Sequence, residues 1–328
     1  MLTEFFINDG FLGSPYFHDE NLAITHDVFL NNWRNYGILI APKKLIPKHN
    51  EAIEKLPPKY KKIWKTAFAY GRVHSIDDDC ADLSDMKDFD QAKTLLKYYS
   101  TAFAEETLSY CLCANNQLSR CCDLTNFEIV SAPVITASEN IKRSIVACEK
   151  DIATGENIDE IWAARFKALA KYSKKIFISD RYLFERIIAD IGKGISSTSI
   201  NRFFEFLSES GGEFYISIGS DGGDDDSQFH TEINNYFDIL FKRKPKLRAC
   251  IKRLTLISND KSIFQKHSHD RYIRFEQLVC EIGTGMAIFE RAHISNTTMS
   301  IKAKQLTNSD EIEKALRLNP NWVEVINP

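Results

Sequence analysis

Four polar features follow one another at fixed spacing in the segment HSHDRYIRFEQLVCEIGTG, residues 267–285. His269 and Arg271 are two positions apart, so on a strand both side chains would point to the same face. Glu276 follows after four intervening residues, and Gly283 and Thr284 follow after six more. A histidine, a guanidinium, a carboxylate and a Gly-Thr pair can attack, bind and orient a phosphate ester. The spacing H-x-R-x4-E-x6-G-T therefore indicates a phosphate-handling site.

This motif resembles that of the phospholipase D superfamily, H-x-K-x4-D-x6-G-S, with Arg for Lys, Glu for Asp and Thr for Ser. Met286 stands where the family usually has an Asn shortly after the motif. The surrounding words HDRYIRF and EIGTGMAIF are similar to the phospholipase D-like C-terminal domain of midbody MIT-domain proteins, which carry H-D-R-x-I-R-F and I-G-x-G. The resemblance covers about residues 160–305, and KKIFISDRYLF matches the family's first core strand.

The resemblance implies a role for each matched residue. His269 would attack phosphorus and form a phosphohistidine. Arg271 would neutralise the nonbridging oxygens, and Glu276 would orient the imidazole of His269. The residues that would bind the phosphate are Arg271, Arg274, Gly283, Thr284 and Gly285. Such chemistry uses no metal and no other cofactor, so we predict that cleavage resists EDTA.

An active site in this superfamily uses two copies of the motif, whereas this chain has one. The segment FISDRYLFE contains Asp180 and Arg181 but no His, so it is not a second copy. The resemblance therefore implies a homodimer in which two motifs meet across a twofold axis. Degenerate domains of this kind occur in bacterial conflict and anti-phage systems. That analogy predicts a cytoplasmic nuclease-type component acting on DNA or RNA, together with partner proteins of a defence system.

A non-catalytic module is the alternative. In the midbody branch the same H-D-R form serves as a membrane- and partner-binding surface, and Arg271 and Arg274 would then dock a phosphate, a lipid headgroup or a partner protein. Lipid hydrolysis is a third option. The sequence shows no membrane-seeking amphipathic anchor with a large apolar face, which counts against it.

Other clusters of reactive side chains give weaker signals. Four cysteines form C-x-C-x7-C-C, but zinc sites usually have C-x2-C spacing, so packing of small apolar side chains is the favoured explanation. They are Cys111, Cys113, Cys121 and Cys122. Two acidic sets are more typical of solvated loops or of a helix N-terminus than of a metal site. They are Asp77, Asp78, Asp79 and Asp82, and Asp221, Asp224, Asp225 and Asp226. We predict no bound metal.

The first half of the chain carries no complete site. The segments FFINDGFL and GILIAPKKLI weakly resemble a PIN-like nuclease, in which a strand-end Asp, here Asp9, helps to bind metal. The helix carboxylate expected soon after the second strand is missing, so no site is predicted there. The helical segment KYKKIWKTAFAYGR interleaves Lys with Trp and Tyr, which suits a phosphate backbone or a partner, although a solvated amphipathic face explains it better.

Composition sets broad limits on the protein class. The 328 residues carry a formal net charge of −3, so any polyanion would have to bind at a local patch. The sequence begins without the basic and apolar regions of a signal peptide, and no stretch approaches roughly 18 apolar residues. Eight cysteines in such a chain are typical of reduced thiols in a cytoplasm.

The order of elements predicts an α/β fold. Strands alternate with amphipathic helices after residue 158, which favours a phospholipase D-like α/β layer domain over residues 159–310. A mixed, helix-rich domain of unknown type would occupy residues 1–158, and residues 311–328 would be a C-terminal tail. Within the first half we predict strands at EFFINDGFL and YGILIAP and one long helix from Gln91 to Leu112. Ser197 or Thr198 would cap the helix SINRFFEFLSES.

Overall fold

The computed structural model of the protein describes residues 2–77, 82–114, 119–122, 126–195, 197–222, 227–267 and 271–328. The chain forms two compact units, Met1–Val146 and Ala147–Pro328. The division comes before the predicted boundary at residue 158, because the segment after residue 146 already pairs with the second unit. The N–H of Ile152 donates to Thr297 O at 3.0 Å, and the N–H of Thr297 returns a bond to Ile152 O.

The N-terminal unit is built on one sheet. Its strands are β1 (Thr3–Ile7), β2 (Gly37–Pro42), β3 (Val73–Ile76), β4 (Thr101–Phe103), β5 (Ser119–Cys122) and β6 (Phe127–Val130). They are arranged in the order β3-β2-β1-β4-β6-β5, and every neighbouring pair is parallel except β5 with β6. Parallel strands covered on both faces are apolar throughout, and β2 is buried at every position. The two strands predicted from the sequence are confirmed as β1 and β2.

Helices and an aromatic core stabilise this sheet. The helices are α1 (Ile24–Tyr36), α2 (Ile46–Glu54), α3 (Pro58–Tyr70), α4 (Phe89–Ala92), α5 (Glu106–Leu112) and α6 (Glu139–Glu149). Phe5 of β1 makes edge contacts with Phe29, Trp33 and Phe103, with ring centroids 5.7, 5.8 and 5.6 Å apart. These T-shaped contacts fix α1 against the centre of the sheet.

The single helix predicted from Gln91 to Leu112 is wrong. The chain instead forms α4, a 3-10 turn at Lys93–Lys97, the strand β4 and then α5. Every residue of β4 is buried, and the strand pairs with β1 on one side and β6 on the other. Pairing in the centre of a sheet therefore overrides the helical periodicity of the flanking sequence.

The C-terminal unit contains a second, mixed sheet. Its strands are β7 (Lys175–Ser179), β8 (Phe214–Asp221), β9 (Ile251–Asn259), β10 (Tyr272–Phe275), β11 (Leu278–Ile282), β12 (Met299–Ala303) and β13 (Trp322–Ile326). Their order is β12-β11-β10-β7-β8-β9-β13. Strands β7, β8 and β9 are parallel, whereas β10, β11, β12 and β13 each run antiparallel to their neighbours.

Helices lie on both faces of this sheet. They are α7 (Ile158–Ile161), α8 (Lys167–Lys171), α9 (Leu183–Gly192), α10 (Ser199–Glu209), α11 (Ser227–Arg243), α12 (Pro245–Cys250), α13 (Lys261–His267) and α14 (Ser309–Leu318). A π-helical segment, Trp162–Phe166, joins α7 to α8. The predicted cap is confirmed, because Thr198 Oγ1 accepts the N–H of Asn201 at 3.3 Å.

Aromatic and aliphatic side chains attach these helices to opposite faces. Phe166 and Phe203 each lie with their ring centroids 6.3 Å from Phe275 on one face. On the other face, Leu316 of α14 packs in a buried cluster with Phe177 of β7. A sheet covered by helices on two sides is an α/β layer architecture, as predicted.

The predicted C-terminal tail is wrong. Residues 311–328 contain most of α14 and all of β13, and β13 pairs with β9 from Trp322↔Ser258 to Ile326↔Leu254. The segment is short, but its alternating valines let it complete the edge of the sheet. Among the helices that the structure describes, none combines the length and the apolar character needed to cross a membrane.

Candidate functional site

The candidate site lies at one edge of the C-terminal sheet. The parallel strands β7, β8 and β9 end there at Ser179, Asp221 and Asn259. Because β10 runs antiparallel to β7, its first residue Tyr272 lies opposite Ser179. Arg271 therefore comes at the carboxyl-terminal edge of the parallel strands, which is where α/β sheets bind ligands.

Arg271 contacts an aromatic ring at this edge. Its guanidinium carbon lies 5.1 Å from the ring centroid of Tyr182, and the guanidinium carbon of Arg181 lies 4.9 Å from the same centroid. The carbonyl of Arg271 accepts the N–H of Ile282 at 2.8 Å, which ties the residue to β11. Within the described part of the chain, Arg271 forms no ion pair. Its electrostatic partner among the described residues is Asp180, which acts on it without forming an ion pair.

Asp180, directly after β7, is the buried carboxylate of the site. Its side chain is 1% exposed. Oδ1 accepts the N–H of Tyr182 at 3.1 Å, and Oδ2 accepts the N–H of Met286 at 2.8 Å. Burial raises the pKa of Asp180, while Arg186, those two backbone N–H groups and Arg271 oppose the rise. Asp180 thus links the β7–α9 turn to the turn after β11.

Ion pairs balance the other two arginines. Arg186 Nε lies 3.2 Å from Glu290 Oε1, and its Nη1 lies 3.7 Å from Asp180 Oδ2. Arg181 Nε lies 3.5 Å from Asp221 Oδ2. These pairs hold Arg181 and Arg186 in place, which leaves Arg271 as the arginine best able to take an anion.

The turn at residues 283–285 approaches the same group of side chains. Gly285 has a φ of +59°, and a side-chain carbon there would collide with Asp180 Oδ2 and lie 2.7 Å from Arg271 Cδ. Only glycine fits both the left-handed backbone and this close approach. The N–H of Thr284 donates to Thr297 Oγ1 at 3.1 Å. Thr284 Oγ1 is buried and has no hydrogen-bond partner among the described residues.

A cavity opens beside Arg271. It has a volume of 270 Å³ and is lined by Glu149, Asp151, Arg271, Glu281, Ile282, Gly283, Thr298, Met299 and Ser300. Two of its carboxylates are engaged, because Asp151 Oδ1 accepts the N–H of Met299 and Glu281 Oε2 accepts both Ser300 Oγ and Lys302 Nζ. Arg271 is the cation of this lining.

The structure places Glu276 away from Arg271. Glu276 lies in the two-residue turn between β10 and β11, with a φ of +49°. Its carboxylate accepts the N–H groups of Lys174 and Lys175 at 3.0 and 2.9 Å. Five residues at roughly 3.3 Å each separate it from Arg271 along the strand. Glu276 therefore fastens the turn to the start of β7, and this placement does not support the predicted role of orienting His269.

Arg274 does not belong to the site either. Residues three apart along an extended chain point to opposite faces, so the side chain of Arg274 lies on the other face of the sheet from that of Arg271. Its Nε and Nη2 donate to the two carboxylate oxygens of Glu313, and its Nη1 donates to Glu276 O at 2.9 Å. Both side chains are almost completely buried. The predicted phosphate-binding role of Arg274 is corrected to a structural ion pair between β10 and α14.

Several predicted residues lie outside the described part of the chain. His269 is one of them, two positions before Arg271, and the aspartates Asp78, Asp79, Asp224, Asp225 and Asp226 are others. Asp82 caps a 3-10 turn through Ser84 N, and Asp9 pairs with Lys48 at 2.9 Å. Of the cysteine set, Cys113 is buried and Cys111 exposed. In the ranges that the structure describes, no three His, Cys, Asp or Glu side chains converge closely enough to hold a metal ion.

The structure adds three residues to the site that the motif did not include: Asp180, Tyr182 and Arg186. Asp180 and Tyr182 belong to the polar end of KKIFISDRYLF, a pattern typical of the end of a buried strand, and Arg186 follows shortly after it. That polar end lacks a His, so it is not a second copy of the motif. Its place in the site depends on the pairing of β7 with β10, which brings Asp180 beside the turn after β11.

Comparisons with known proteins add little. A scan against protein-family models found no matching family, and a search of curated proteins found no relative. Among solved structures, one match is described as "Structure of TrmBL2, an archaeal chromatin protein, shows a novel mode of DNA binding". The aligned part covers 51% of this chain and about half of that one, 49%, at 11% identity and a TM-score of 0.23. A likeness at that score carries no argument about this chain.

Proposed function

We propose that the C-terminal unit is a phospholipase D-like domain that binds nucleic-acid phosphodiesters at Arg271. The observation that carries the proposal is the guanidinium of Arg271, which stands at the carboxyl-terminal edge of parallel strands without an ion-pair partner among the described residues. A guanidinium offers a planar fork of donors that matches two phosphate oxygens. An arginine neutralised by a carboxylate would bind an anion far less well.

Two neighbours of Arg271 support an anion at this edge. The hydroxyl of Thr284, buried without a partner in the described part of the chain, supplies a donor on the turn that packs beside Arg271. The ring of Tyr182 and the guanidinium of Arg181 lie close to that of Arg271 and add a polarised surface. These groups would act on phosphate without metal.

Cleavage is the catalytic form of the proposal. His269 of two copies of the chain would meet, one attacking phosphorus and the other protonating the leaving oxygen. The protein would then be a homodimeric, metal-independent nuclease, of the kind that serves in prokaryotic anti-phage defence. Partner proteins of such a system would control when it acts.

A non-catalytic binding module is the second candidate, and the placement of Glu276 and Arg274 favours it. Glu276 matches the motif and Arg274 matches the surrounding word H-D-R-x-I-R-F, yet one fastens a turn and the other forms a buried ion pair. Part of the motif therefore serves folding. Arg271 would then hold a phosphate group of a nucleic acid, a lipid headgroup or a partner protein without breaking it.

Digestion and binding assays on the purified chain separate these candidates. Labelled single- and double-stranded DNA and RNA would be incubated with and without EDTA. The variants are His269→Ala and Arg271→Ala, with Arg253→Ala as the matched loss of an exposed arginine from the same unit. EDTA-resistant cleavage that both site variants lose and Arg253→Ala keeps would establish the nuclease.

Binding without cleavage, weakened by Arg271→Ala alone, would establish the binding module. Cleavage that EDTA abolishes and His269→Ala retains would contradict catalysis at this edge, because the reaction would then depend on metal elsewhere in the chain. If no nucleic acid binds and Arg271→Ala changes nothing, the proposal fails.

A further inference from the structure

Tyr182 stands beside the proposed phosphate site as an exposed aromatic ring. We infer that this ring stacks an unpaired nucleobase, so that the ligand of the site is single-stranded nucleic acid. The inference rests on the proposed function, since it takes Arg271 as the residue that binds the phosphate next to that base.

Exposure and position make the ring available. Tyr182 is 38% exposed, although it lies between the buried end of β7 and the first residue of α9. Asp180 before it and Leu183 and Phe184 after it are buried, so the exposure is not that of a loose loop. The side chain is therefore presented at the edge of the sheet by a rigid turn.

Hydrogen bonds hold the backbone of Tyr182 in place. Its N–H donates to Asp180 Oδ1 at 3.1 Å, and its carbonyl accepts the N–H of Arg186 at 3.0 Å. Asp180 is itself tied to Met286 N. A backbone held in this way needs little ordering when a ligand binds, which favours the turn as a support for a contact surface.

Positive charge close to the ring suits a polynucleotide. The guanidinium carbons of Arg271 and Arg181 lie 5.1 and 4.9 Å from its centroid, so two cations and an aromatic ring share one short surface. Proteins that bind single-stranded DNA or RNA without sequence preference do so in this way: basic side chains contact the phosphates, and aromatic rings stack on the bases. The faces of bases are free only when the strand is unpaired. A duplex could offer this site its backbone but not a base.

Fluorescence anisotropy with the full chain tests the inference. The probes are labelled single-stranded DNA, the same sequence as RNA, a fully paired hairpin, and a single strand with abasic sites. Tyr182→Leu removes the ring, Tyr182→Phe restores it without the hydroxyl, and Tyr215→Leu removes another exposed tyrosine of the same unit. Arg271→Ala tests the phosphate contact.

We expect Tyr182→Leu to weaken single-strand binding by about 5- to 150-fold, the range measured for loss of one stacked base. Tyr182→Phe should recover most of that loss, and Tyr215→Leu should cause none. The abasic strand should bind wild type weakly and should not respond to Tyr182→Leu. Comparison of the DNA and RNA arms shows which sugar the site prefers.

Two outcomes overturn the inference while leaving the proposed function intact: equal affinity for the hairpin and the single strand, or equal affinity for the abasic and the intact strand. In both, Arg271→Ala would still weaken binding of every probe. If Arg271→Ala leaves all probes unaffected, the proposed function fails and the inference falls with it. The abasic comparison uses only wild-type protein, so it stays decisive if Tyr182→Leu folds poorly.

Discussion

Arg271 directly precedes β10 and Arg274 lies within it, three positions later, and that spacing gives them different chemistry. Arg271 remains without an ion pair among the described residues, whereas Arg274 is paired with Glu313 and donates to the carbonyl of Glu276. An arginine that is buried and paired with a carboxylate contributes to stability and not to ligand binding. The pair therefore separates the two roles that the sequence motif combines.

Replacing Arg271 by alanine should weaken nucleic-acid binding about tenfold and lower the slope of log affinity against log salt by about 1, because one phosphate contact is lost. Titrations at three or more salt concentrations measure both quantities. Arg253→Ala changes the net charge equally and should leave the slope unchanged. Equal effects of the two substitutions would show that general charge, and not the site, governs binding.

The buried His26 should make the stability of the N-terminal unit depend on pH. Burial lowers its pKa from 6.5 to about 4, and its ring is held neutral because Nε2 donates to Phe17 O while Nδ1 accepts the Trp64 N–H. Between pH 6.5 and pH 4 the imidazole of His26 is protonated in the unfolded chain but stays neutral in the folded chain. Stability is therefore lost as pH falls from 7 to 4, by up to about 3 kcal/mol from this residue.

Urea unfolding at pH 7, 5 and 4 measures this loss, and His26→Gln should show a smaller decrease over the same interval. Nuclear magnetic resonance of the His26 ring tests the cause directly. A ring that titrates near pH 6.5 in the folded protein would contradict the assignment.

The turn after β11 is the element that shapes the site, and Gly285 is its tightest point. Gly285→Ala should cost about 2–4 kcal/mol, because it combines a left-handed backbone with a collision against Asp180 and Arg271. Gly194 also has a positive φ, of +71°, but a side-chain carbon there meets nothing within 4 Å. Gly194→Ala should therefore cost only about 1–2 kcal/mol.

Thermal and urea unfolding of the two variants gives the comparison. Equal costs would mean that the region around Asp180 yields to an extra carbon, and the turn would then not be as tightly constrained as its geometry indicates.

The contact between β10 and α14 depends on a buried ion pair. Glu313→Ala should destabilise the protein by about 3–5 kcal/mol, because it leaves the Arg274 guanidinium buried without its carboxylate. Glu311→Ala, an exposed change on the same helix, should cost less than about 0.5 kcal/mol. The double variant Arg274→Met with Glu313→Leu should be more stable than Glu313→Ala alone.

Chemical denaturation of the three proteins measures these differences. If Glu313→Ala instead improves phosphate binding at little cost in stability, then Arg274 is able to bind phosphate, and its assignment as a structural residue is wrong.

At the scale of the whole molecule, the proposed catalysis would need two chains, because each chain carries a single copy of the motif. We expect specific activity per chain to fall on dilution, because each active centre needs His269 from both subunits. Light scattering across the same concentrations should show dimers dissociating over that range. A strictly monomeric protein with undiminished activity would exclude this arrangement, and a monomer that only binds would favour the non-catalytic module.

Much of the fold followed from local pattern. The alternation of strands and helices after residue 158 predicted an α/β layer, and β7 formed within KKIFISDRYLF, the segment expected to be the first core strand. Thr198 capped α10 as its position indicated. These features depend on neighbouring residues, which is why one sequence is enough to predict them.

Long-range pairing could not be predicted in this way. The strand β4 formed inside a helical pattern because β1 and β6 were there to bind it, and β13 formed from an apparent tail because β9 offered an edge. Their sequences are short and ambiguous, so their partners decided their structure.

The same division applies to the site. The sequence by itself determined that Arg271 and the Gly-Thr-Gly turn occur at a fixed spacing, since spacing along a chain is a local property. Only the tertiary structure decided that Asp180 and Tyr182 join them, that Arg274 faces the other way into Glu313, and that Glu276 fastens a turn. The physical reason is that strand pairing and burial bring together side chains from distant segments, and those neighbours decide which charges are neutralised and which remain for a ligand.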